Sequence, residues 1–309
     1  MTVFGVRLDS GFNGTAVSEG DPARLITEAQ EADRAGLDVV TVTDHPYHAK
    51  HLDAYATLGF VLGATSRISG AVTVTNLPVR PVPVLARTVS ALSELSGGRV
   101  RLGVGAGALW DQIEAFGVER RTPAEAVRLF AEGITLLRAL TGGGTGPVTF
   151  DGEFHRVAGV LPSAAPTPPI WTGSIGPASL AVTGRLADGW FPAVAQDWRS
   201  ETVAKSRPLI DRAAAETGRD PAAISTLYNV FGTISGGAAP LSRGTGEHGM
   251  GVLAGSVRSW IDELAEASEE HGADGFVFFP NVGTVAEREE SRQRWLHEVV
   301  PGVRAAIGR

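Results

Sequence analysis

Cysteine is absent from the 309-residue sequence. Without a thiol the chain can form no disulfide, no thiolate nucleophile and no cysteine-ligated metal site. Lysine is scarce too, since only Lys50 and Lys205 occur and arginine carries almost all the positive charge. No Ser-His-Asp set is apparent, and Lys50, which follows the predicted second strand, is the one amine placed for a Schiff base.

Three further absences narrow the class of protein. The net charge is −7 with both signs interspersed, and no basic stripe occurs, so we expect no nucleic-acid partner. The apolar runs are too short to cross a bilayer, so we expect no membrane span. The start, Met1–Val6, has the pattern of a strand, so we expect no secretory leader. These features favour a cytoplasmic protein that acts on a small molecule.

A short β-branched strand, Leu37–Thr43, stops on Asp44, His45 and Pro46. A strand buried on both faces places its polar residues at its carboxyl end, which is where parallel α/β sheets bind ligands. The remaining chain alternates in the same way, with helix signals such as Thr122, Pro123 and Glu125 in the pattern of a capping box. Eight such strand–helix units predict a (β/α)8 TIM barrel.

Two segments depart from this alternation. Val148–Val157 contains Asp-Gly and is interpreted as a β-hairpin inserted before strand five. Ser235–Gly251 is glycine-rich and is interpreted as a flexible loop after strand seven, forming a lid or remaining disordered. No linker divides the chain, so we expect one domain over 1–309. A doubly wound sheet is the alternative, although no Gly-x-Gly-x-x-Gly turn follows the first strand.

The predicted strand ends carry hydroxyls, amides, aromatic rings and glycines, with one imidazole and little charge. Gly105–Gly107 and Thr172–Gly176 offer backbone amides to a phosphate, although each also suits a tight strand-to-helix turn. Trp171 and Trp190 lie nearest to these ends, where ligand contact and core packing are both open. Such a lining suits a flat ring system with a phosphate tail.

His45, His48 and His51 form a series that invites a zinc interpretation. Pro46 disfavours a shared helix, and no His-Glu-x-x-His motif occurs, so we predict no metal site. We interpret His48 and His51 as solvated or loop-packing side chains, whereas His45 is oriented by the end of its strand.

The chain resembles the bacterial luciferase-like monooxygenase superfamily, in particular its actinobacterial coenzyme F420-dependent branch. The most specific stretch is Ser96-Gly97-Gly98-Arg99 leading to Gly105-Ala106-Gly107. The matching stretches, in family order, are Val42–His45, Ala71–Asn76, Leu92–Gly107, Phe116-Gly117, Phe150–Phe154, Pro169–Gly173, Ala187–Trp190 and Gly272–Phe276.

This resemblance implies a TIM barrel with a flavin or deazaflavin in its mouth, and a non-prolyl cis peptide at Val72–Thr73 in a bulge of the third strand. The cofactor-binding residues it implies, together with the strand ends above, are Asp44, Val72, Thr73, Thr75, Asn76, Gly105, Gly107, Ala108, Thr172, Gly173, Ser174 and Trp190. The family's sugar-phosphate dehydrogenases have a proton-donating Glu where this chain has Ala108. That departure leaves His45 as the expected catalytic acid or base, with a pKa in the ordinary range of histidine.

Four functions follow from these observations. The first is hydride transfer to or from an organic substrate with coenzyme F420. The second is an FMN-dependent monooxygenase, the third a metal-dependent barrel hydrolase, and the fourth a ligand-binding barrel without turnover. The first two imply a separate cofactor reductase, and assembly into a homodimer is left open.

Overall fold

Eight parallel strands close into a barrel in the computed structural model, which describes residues 2–9, 21–192, 197–245 and 250–308. Strand β12 pairs with β1 and strand β8 pairs with β9, which completes the ring β1-β2-β3-β4-β7-β8-β9-β12. The barrel strands are β1 (Val3–Arg7), β2 (Val39–Val42), β3 (Ser69–Asn76), β4 (Val100–Gly105), β7 (Ile170–Thr172), β8 (Gly189–Trp190), β9 (Ser225–Ser235) and β12 (Gly275–Phe279). The predicted TIM barrel is confirmed, and one domain over 1–309 stays a prediction.

The helices surround the barrel, and local signals fix several of their ends. Asp21 caps α1 by accepting from the Ala23 N–H at 3.0 Å, and the predicted capping box of Thr122 and Glu125 begins α5. Trp110–Ala115 is a short helix that the sequence did not predict. The helices are α1 (Pro22–Arg34), α2 (Ala54–Ala64), α3 (Val82–Ser96), α4 (Trp110–Ala115), α5 (Pro123–Thr141), α6 (Pro177–Leu186), α7 (Glu201–Glu216), α8 (Val257–Glu270), α9 (Val285–Arg294) and α10 (Val300–Ile307), with a π-helical turn at Trp295–Val299.

Two apolar layers result from the period-two alternation of the strands. One face of each strand packs against the helices, as Phe4 does against Trp295 with ring centroids 6.3 Å apart. The other face fills the barrel, where Trp171 packs against Phe191 at 5.4 Å. The inner layer ends below the carboxyl ends of the strands, and polar side chains take over there.

The predicted hairpin insertion is confirmed. Strands β5 (Val148–Asp151) and β6 (Arg156–Val160) pair antiparallel before the fifth barrel strand. Glu132 on α5 anchors their turn, because its carboxylate accepts from the backbone N–H groups of Glu153 at 2.8 Å, Phe154 at 3.0 Å and His155 at 3.2 Å.

The segment after β9 is more ordered than predicted. Strand β10 (Ser242–Thr245) pairs antiparallel with β11 (Gly251–Ser256), and β11 runs parallel to the end of β9. The interpretation of Ser235–Gly251 as a loop is therefore wrong for residues 242–245, while residues 246–249 lie outside the described ranges. Gly232 permits the pairing, since a Cβ there would stand 1.9 Å from the Leu253 carbonyl oxygen. Composition alone does not reveal such backbone proximity.

Candidate active site

A cavity of about 410 Å³ opens at the carboxyl ends of the barrel strands. Ten of the thirteen predicted site residues line it: Asp44, His45, Thr73, Thr75, Asn76, Gly105, Gly107, Ala108, Gly173 and Ser174. Further lining residues are Thr43, Tyr47, Val74, Ala106, Ile175, Gly176, Ser179, Phe191 and Asn229. The strand ends predicted from the sequence thus meet in one site, as the closure of the barrel requires.

The other three predicted residues lie behind the cavity wall. Val72 is buried in the layer between barrel and helices. The Thr172 hydroxyl bonds the Thr183 hydroxyl at 2.7 Å, and Thr183 in turn donates to Ser174 Oγ at 2.9 Å. The Trp190 indole N–H donates to the Ser174 carbonyl at 2.9 Å. Thr172 and Trp190 therefore support the loop from β7 to α6 from behind.

Strand β3 carries the expected bulge, one residue later than predicted. The cis peptide joins Thr73 and Val74, not Val72 and Thr73, and the register with β4 shifts between Val72 and Thr75. Val72 still pairs with Leu102 in regular register, so the irregularity begins only after it. The residue inside the bulge is consequently Val74, which the sequence did not single out.

Val74 explains several of the glycines that looked like phosphate binders. A Cβ on Gly105 would lie 2.7 Å from Val74 Cγ2, and one on Gly173 would lie 3.3 Å from the same atom. A Cβ on Gly103 would meet Val74 Cγ1 at 3.3 Å and the Val72 carbonyl oxygen at 2.2 Å. These positions are small because the Val74 side chain occupies the floor of the cavity, whatever else they bind.

Backbone groups dominate the side of the cavity formed by β4, β7 and α6. Gly107 adopts a φ of +89°, a conformation that favours glycine. Gly176 precedes Pro177 at the start of α6, and no side chain caps this helix. Uncapped N–H groups at a helix N-terminus attract anions, so this wall can hold a phosphate.

Side chains dominate the opposite part of the rim. His45 Nδ1 lies 2.7 Å from the Tyr47 hydroxyl, which accepts a bond from Asn76 Nδ2 at 3.4 Å. Burial lowers the pKa of His45 to about 4, with smaller contributions from His51, His48 and Arg7. The pKa of His45 therefore lies below the unperturbed value of histidine, because desolvation and neighbouring positive charge disfavour the imidazolium.

Asp44 lines the cavity, but its carboxylate is held by Arg80. Arg80 donates to it from Nε at 2.7 Å and from Nη2 at 2.5 Å, and the Asn76 N–H donates at 3.0 Å. Arg80 also bonds Asp53 at 2.8 Å and stacks over the ring of Tyr55, whose hydroxyl bonds Thr75 at 2.6 Å. Asp44 thus orders the ends of β2 and β3, and Arg80 was missed because its partners are distant in sequence.

The three histidines lie together, with ring centroids 5.5 to 5.9 Å apart. Within the described ranges, a different trio brings its ligand atoms close enough for one metal ion: Glu266, Glu270 and His271. That trio lies at the end of α8, which leads into the amino end of β12, on the face opposite the cavity. Glu266 already bonds Arg199 at 2.6 Å, and such acidic groups are common without a metal.

No helix in the described part of the chain is long and apolar enough to cross a membrane.

Comparison with known proteins agrees with this architecture. The chain is 31% identical over 203 residues to 5,10-methylenetetrahydromethanopterin reductase of Methanolobus tindarius, matching 65% of this chain and 59% of the relative. It is 30% identical over 233 residues to F420-dependent glucose-6-phosphate dehydrogenase of Nocardia farcinica, matching 72% of this chain and 68% of the relative. The chain thus spans less than two thirds of the length of the first of these relatives.

A solved structure shares the fold over nearly the whole length. It is an F420-dependent secondary alcohol dehydrogenase in complex with an F420-acetone adduct, with a TM-score of 0.77, 19% identity and coverage of 98% of this chain and 99% of that one. The family model of the luciferase-like monooxygenases matches residues 2–235, which is most of the chain. The protein therefore belongs to the luciferase-like monooxygenase family.

Proposed function

We propose that the protein is an oxidoreductase that uses coenzyme F420 to move a hydride to or from a small organic substrate. One observation carries the proposal: a single cavity combines an uncapped helix N-terminus on one wall with an imidazole on the other. The first feature suits the phosphate of the cofactor, and the second suits the proton that accompanies hydride transfer. The F420-dependent dehydrogenase and alcohol dehydrogenase to which the chain is similar support the choice of cofactor.

The residues present fit such a cofactor. Backbone amides around Gly107, Gly173, Ser174 and the start of α6 would hold the phosphate, and the β3 bulge with Val74 would support the flat ring from below. When bound, F420 supplies a carbon that accepts or gives up a hydride. His45, Thr73 and the other predicted lining residues are proposed as its contacts.

The contribution of the protein is to move the proton. We assign this step to the His45 imidazole, because it lines the cavity beside the proposed ring site. In alcohol oxidation, the imidazole would take the hydroxyl proton while the hydride leaves the C–H carbon for the cofactor, and in reduction it would return the proton. A neutral imidazole, as the lowered pKa of His45 requires near pH 7, is ready to accept that proton.

The cavity disfavours a sugar phosphate as substrate, although one relative is named for it. Ala108 lines the cavity at the position where the family resemblance implies a proton-donating Glu. A methyl group cannot transfer a proton, so we propose a substrate whose chemistry needs only the His45 imidazole.

Binding titrations of the purified protein with oxidised F420 and with FMN test the proposal. We expect micromolar binding of F420 and reversible bleaching of its absorbance when a substrate is added. FMN binding with oxygen consumption would favour the monooxygenase, and a requirement for zinc or manganese would favour the hydrolase. Failure to bind F420 at micromolar concentration contradicts the proposal, and binding without turnover of any substrate would leave only the ligand-binding barrel.

The proposal also covers the location and the protein partners of the enzyme. We place the protein in the cytoplasm, where a separate reductase would recycle F420.

A homodimer is supported by α2, whose sequence is apolar on nearly every face, yet Phe60 on it is 76% exposed. Light scattering should give a dimer for the wild type and a monomer for Phe60→Glu, and a wild-type monomer would contradict it.

A further inference from the structure

Arg7 is a buried cation at the end of β1, and no residue in the described ranges forms a salt bridge with it. Its side chain points into the barrel, where Nε donates to Thr43 Oγ1 at 3.2 Å and the guanidinium carbon lies 5.2 Å from the centre of the Phe279 ring. The residue is 3% exposed, and Nη2 is buried with no hydrogen-bond partner among the described residues. A buried guanidinium normally has its donors filled, because an unpaired buried charge is costly.

Other arginines of the fold show the usual arrangement. Arg292, which is 4% exposed, pairs with Glu31 at 2.5 Å and with Glu289 at 2.6 Å, although its Nη1 also has no hydrogen-bond partner among the described residues. The Arg99 guanidinium donates to four backbone carbonyls and to the Thr65 hydroxyl around the start of β4. Arg80 has Asp44 and Asp53. Arg7 differs from these three, because within the described ranges its guanidinium makes one hydrogen bond, to Thr43, and no ion pair with a carboxylate.

Arg7 remains charged despite its burial. Desolvation lowers its pKa to about 10, which is still well above neutral pH, and Asp9 opposes the shift. Asp9 is therefore close enough to Arg7 to act on it electrostatically. The guanidinium thus offers a donor and a positive charge for which the described residues supply no acceptor.

The position of Arg7 separates it from the proposed phosphate site. In the ring of eight strands, β1 lies four places from β7 in either direction, so the two strands face each other across the barrel. The start of α6 follows β7, and Arg7 ends β1. An anion held at α6 and an anion held at Arg7 therefore occupy opposite walls of the mouth, and one phosphate cannot serve both.

The side of the barrel mouth that carries Arg7 has room for a small ligand. Arg7 lines a second cavity of about 230 Å³, together with Pro280 and Asn281 at the end of β12. The second cavity is also lined by four acidic residues, Asp9, Asp21, Glu28 and Glu289, and by three further arginines, Arg24, Arg288 and Arg292. Thr43, the hydrogen-bond partner of Arg7, lines the larger cavity beside His45, so the Arg7 side chain lies between the two spaces. Thr73 and Asn229, which also line the larger cavity, have buried side-chain oxygens without partners in the described part of the chain.

We propose that Arg7 binds the carboxylate of the substrate, which makes the substrate a small organic acid. The assignment deepens the proposed function and rests on it, because it takes the cavity beside His45 as the place of the reacting carbon. Two N–H groups of a guanidinium match the two oxygens of a carboxylate, and charge-assisted bonds of this kind are strong in a dry site. Arg7 is then a specificity-determining residue, and His45 remains the proton-transfer group.

Calorimetric titration with benzoate and benzamide tests the proposal at pH 7.5, in low chloride, with and without F420. The two probes share size and shape and differ in charge. We expect benzoate to bind the wild type at least about tenfold more tightly than benzamide, as a charge-assisted pair provides. Arg7→Gln should remove this preference and Arg7→Lys should keep part of it, while F420 affinity changes less than about twofold.

Arg101→Gln is the matched control, because Arg101 is a half-buried barrel arginine whose guanidinium bonds only the Val100 carbonyl among the described residues. It should retain the preference for benzoate. Equal binding of the two probes by the wild type, or an unchanged preference in Arg7→Gln, overturns the proposal. A loss of F420 affinity in Arg7→Gln with benzoate binding intact also overturns it and assigns Arg7 to the cofactor.

Two features keep this test decisive. If Arg7→Gln does not fold, the ratio of benzoate to benzamide binding by the wild type still decides for or against a carboxylate site. If the wild type does not bind F420, the proposed function fails, yet the benzoate preference of the cofactor-free protein remains measurable. The two failures are thus distinguishable.

Discussion

The two walls of the barrel mouth offer different groups to a ligand. The wall of β4, β7 and α6 offers backbone amides, and glycines such as Gly107 and Gly176 let them approach a ligand. The wall of β1, β2 and β3 offers ionisable side chains, among them Arg7, His45 and Asp44. Backbone amides have no titratable proton, so the first wall can bind but cannot exchange protons. We infer that binding and chemistry are divided between the walls.

The largest expected effect comes from removing proton transfer on the side-chain wall. His45→Ala should lower kcat by about 10² to 10⁴, the usual contribution of a general acid or base. The dissociation constant for F420 should change less than about threefold, because the proposed phosphate contacts lie on the other wall. Steady-state kinetics and fluorescence titration measure the two quantities. Equal losses in both would place His45 in cofactor binding and remove the division between the walls.

A second prediction concerns the stability of the same wall. Asp44→Ala leaves Arg80 without its buried partner, and the free energy of unfolding should fall by about 3 kcal/mol. Glu153→Ala is the matched control, because it breaks the exposed pair with Arg128 and should lower the free energy of unfolding much less. Chemical denaturation of both variants gives the comparison. Similar losses in the two variants would show that the burial of the Asp44–Arg80 pair does not increase its contribution to the free energy of unfolding.

The backbone wall is tested at the floor of the cavity. Gly105→Ala places a new Cβ only 2.7 Å from Val74 Cγ2, which is too close for two carbon atoms. We expect F420 affinity to fall about tenfold as Val74 is pushed towards the ring. The double variant Gly105→Ala/Val74→Ala relieves the contact and should recover most of the affinity. Recovery of the F420 affinity would identify the contact as the cause. A loss caused by distortion elsewhere in β4 would not be reversed by Val74→Ala.

The smallest effect is the response of stability to pH. Burial lowers the pKa of His45 and of His51 to about 4 in the folded protein, below the ordinary 6.5. Between these values the unfolded chain binds protons that the folded chain does not, so stability should fall as pH drops from about 6.5 to 4 and be level above 7. Asp33, whose pKa is lowered by backbone bonds from residues 66 to 68, acts below this window.

Melting temperatures measured from pH 8 to pH 4 check this expectation. The variant His45→Gln/His51→Gln should show a shallower decline than the wild type. Identical slopes would mean that the two imidazoles are as easily protonated in the folded chain as in the unfolded one.

The sequence predicted what depends on local patterning. Helices such as α5 followed from spacing and a capping box, and His45 followed from the end of a buried strand. It did not predict Val74, because a one-residue shift of a bulge leaves the residue pattern unchanged. Nor did it predict the pairing of Arg80 with Asp44, 36 residues apart, or the lowered pKa of His45, which depends on burial by distant segments.

The Val74 side chain also has a consequence for how this sequence can change. Its two methyl groups fill the space beside three glycines on two neighbouring strands, Gly103, Gly105 and Gly173. A larger residue at any of these four positions needs a smaller one at another, so their substitutions are tied together across about a hundred residues of chain. Among relatives, the four positions should vary as a set, and a small residue at 74 should accompany side chains where this protein has glycine.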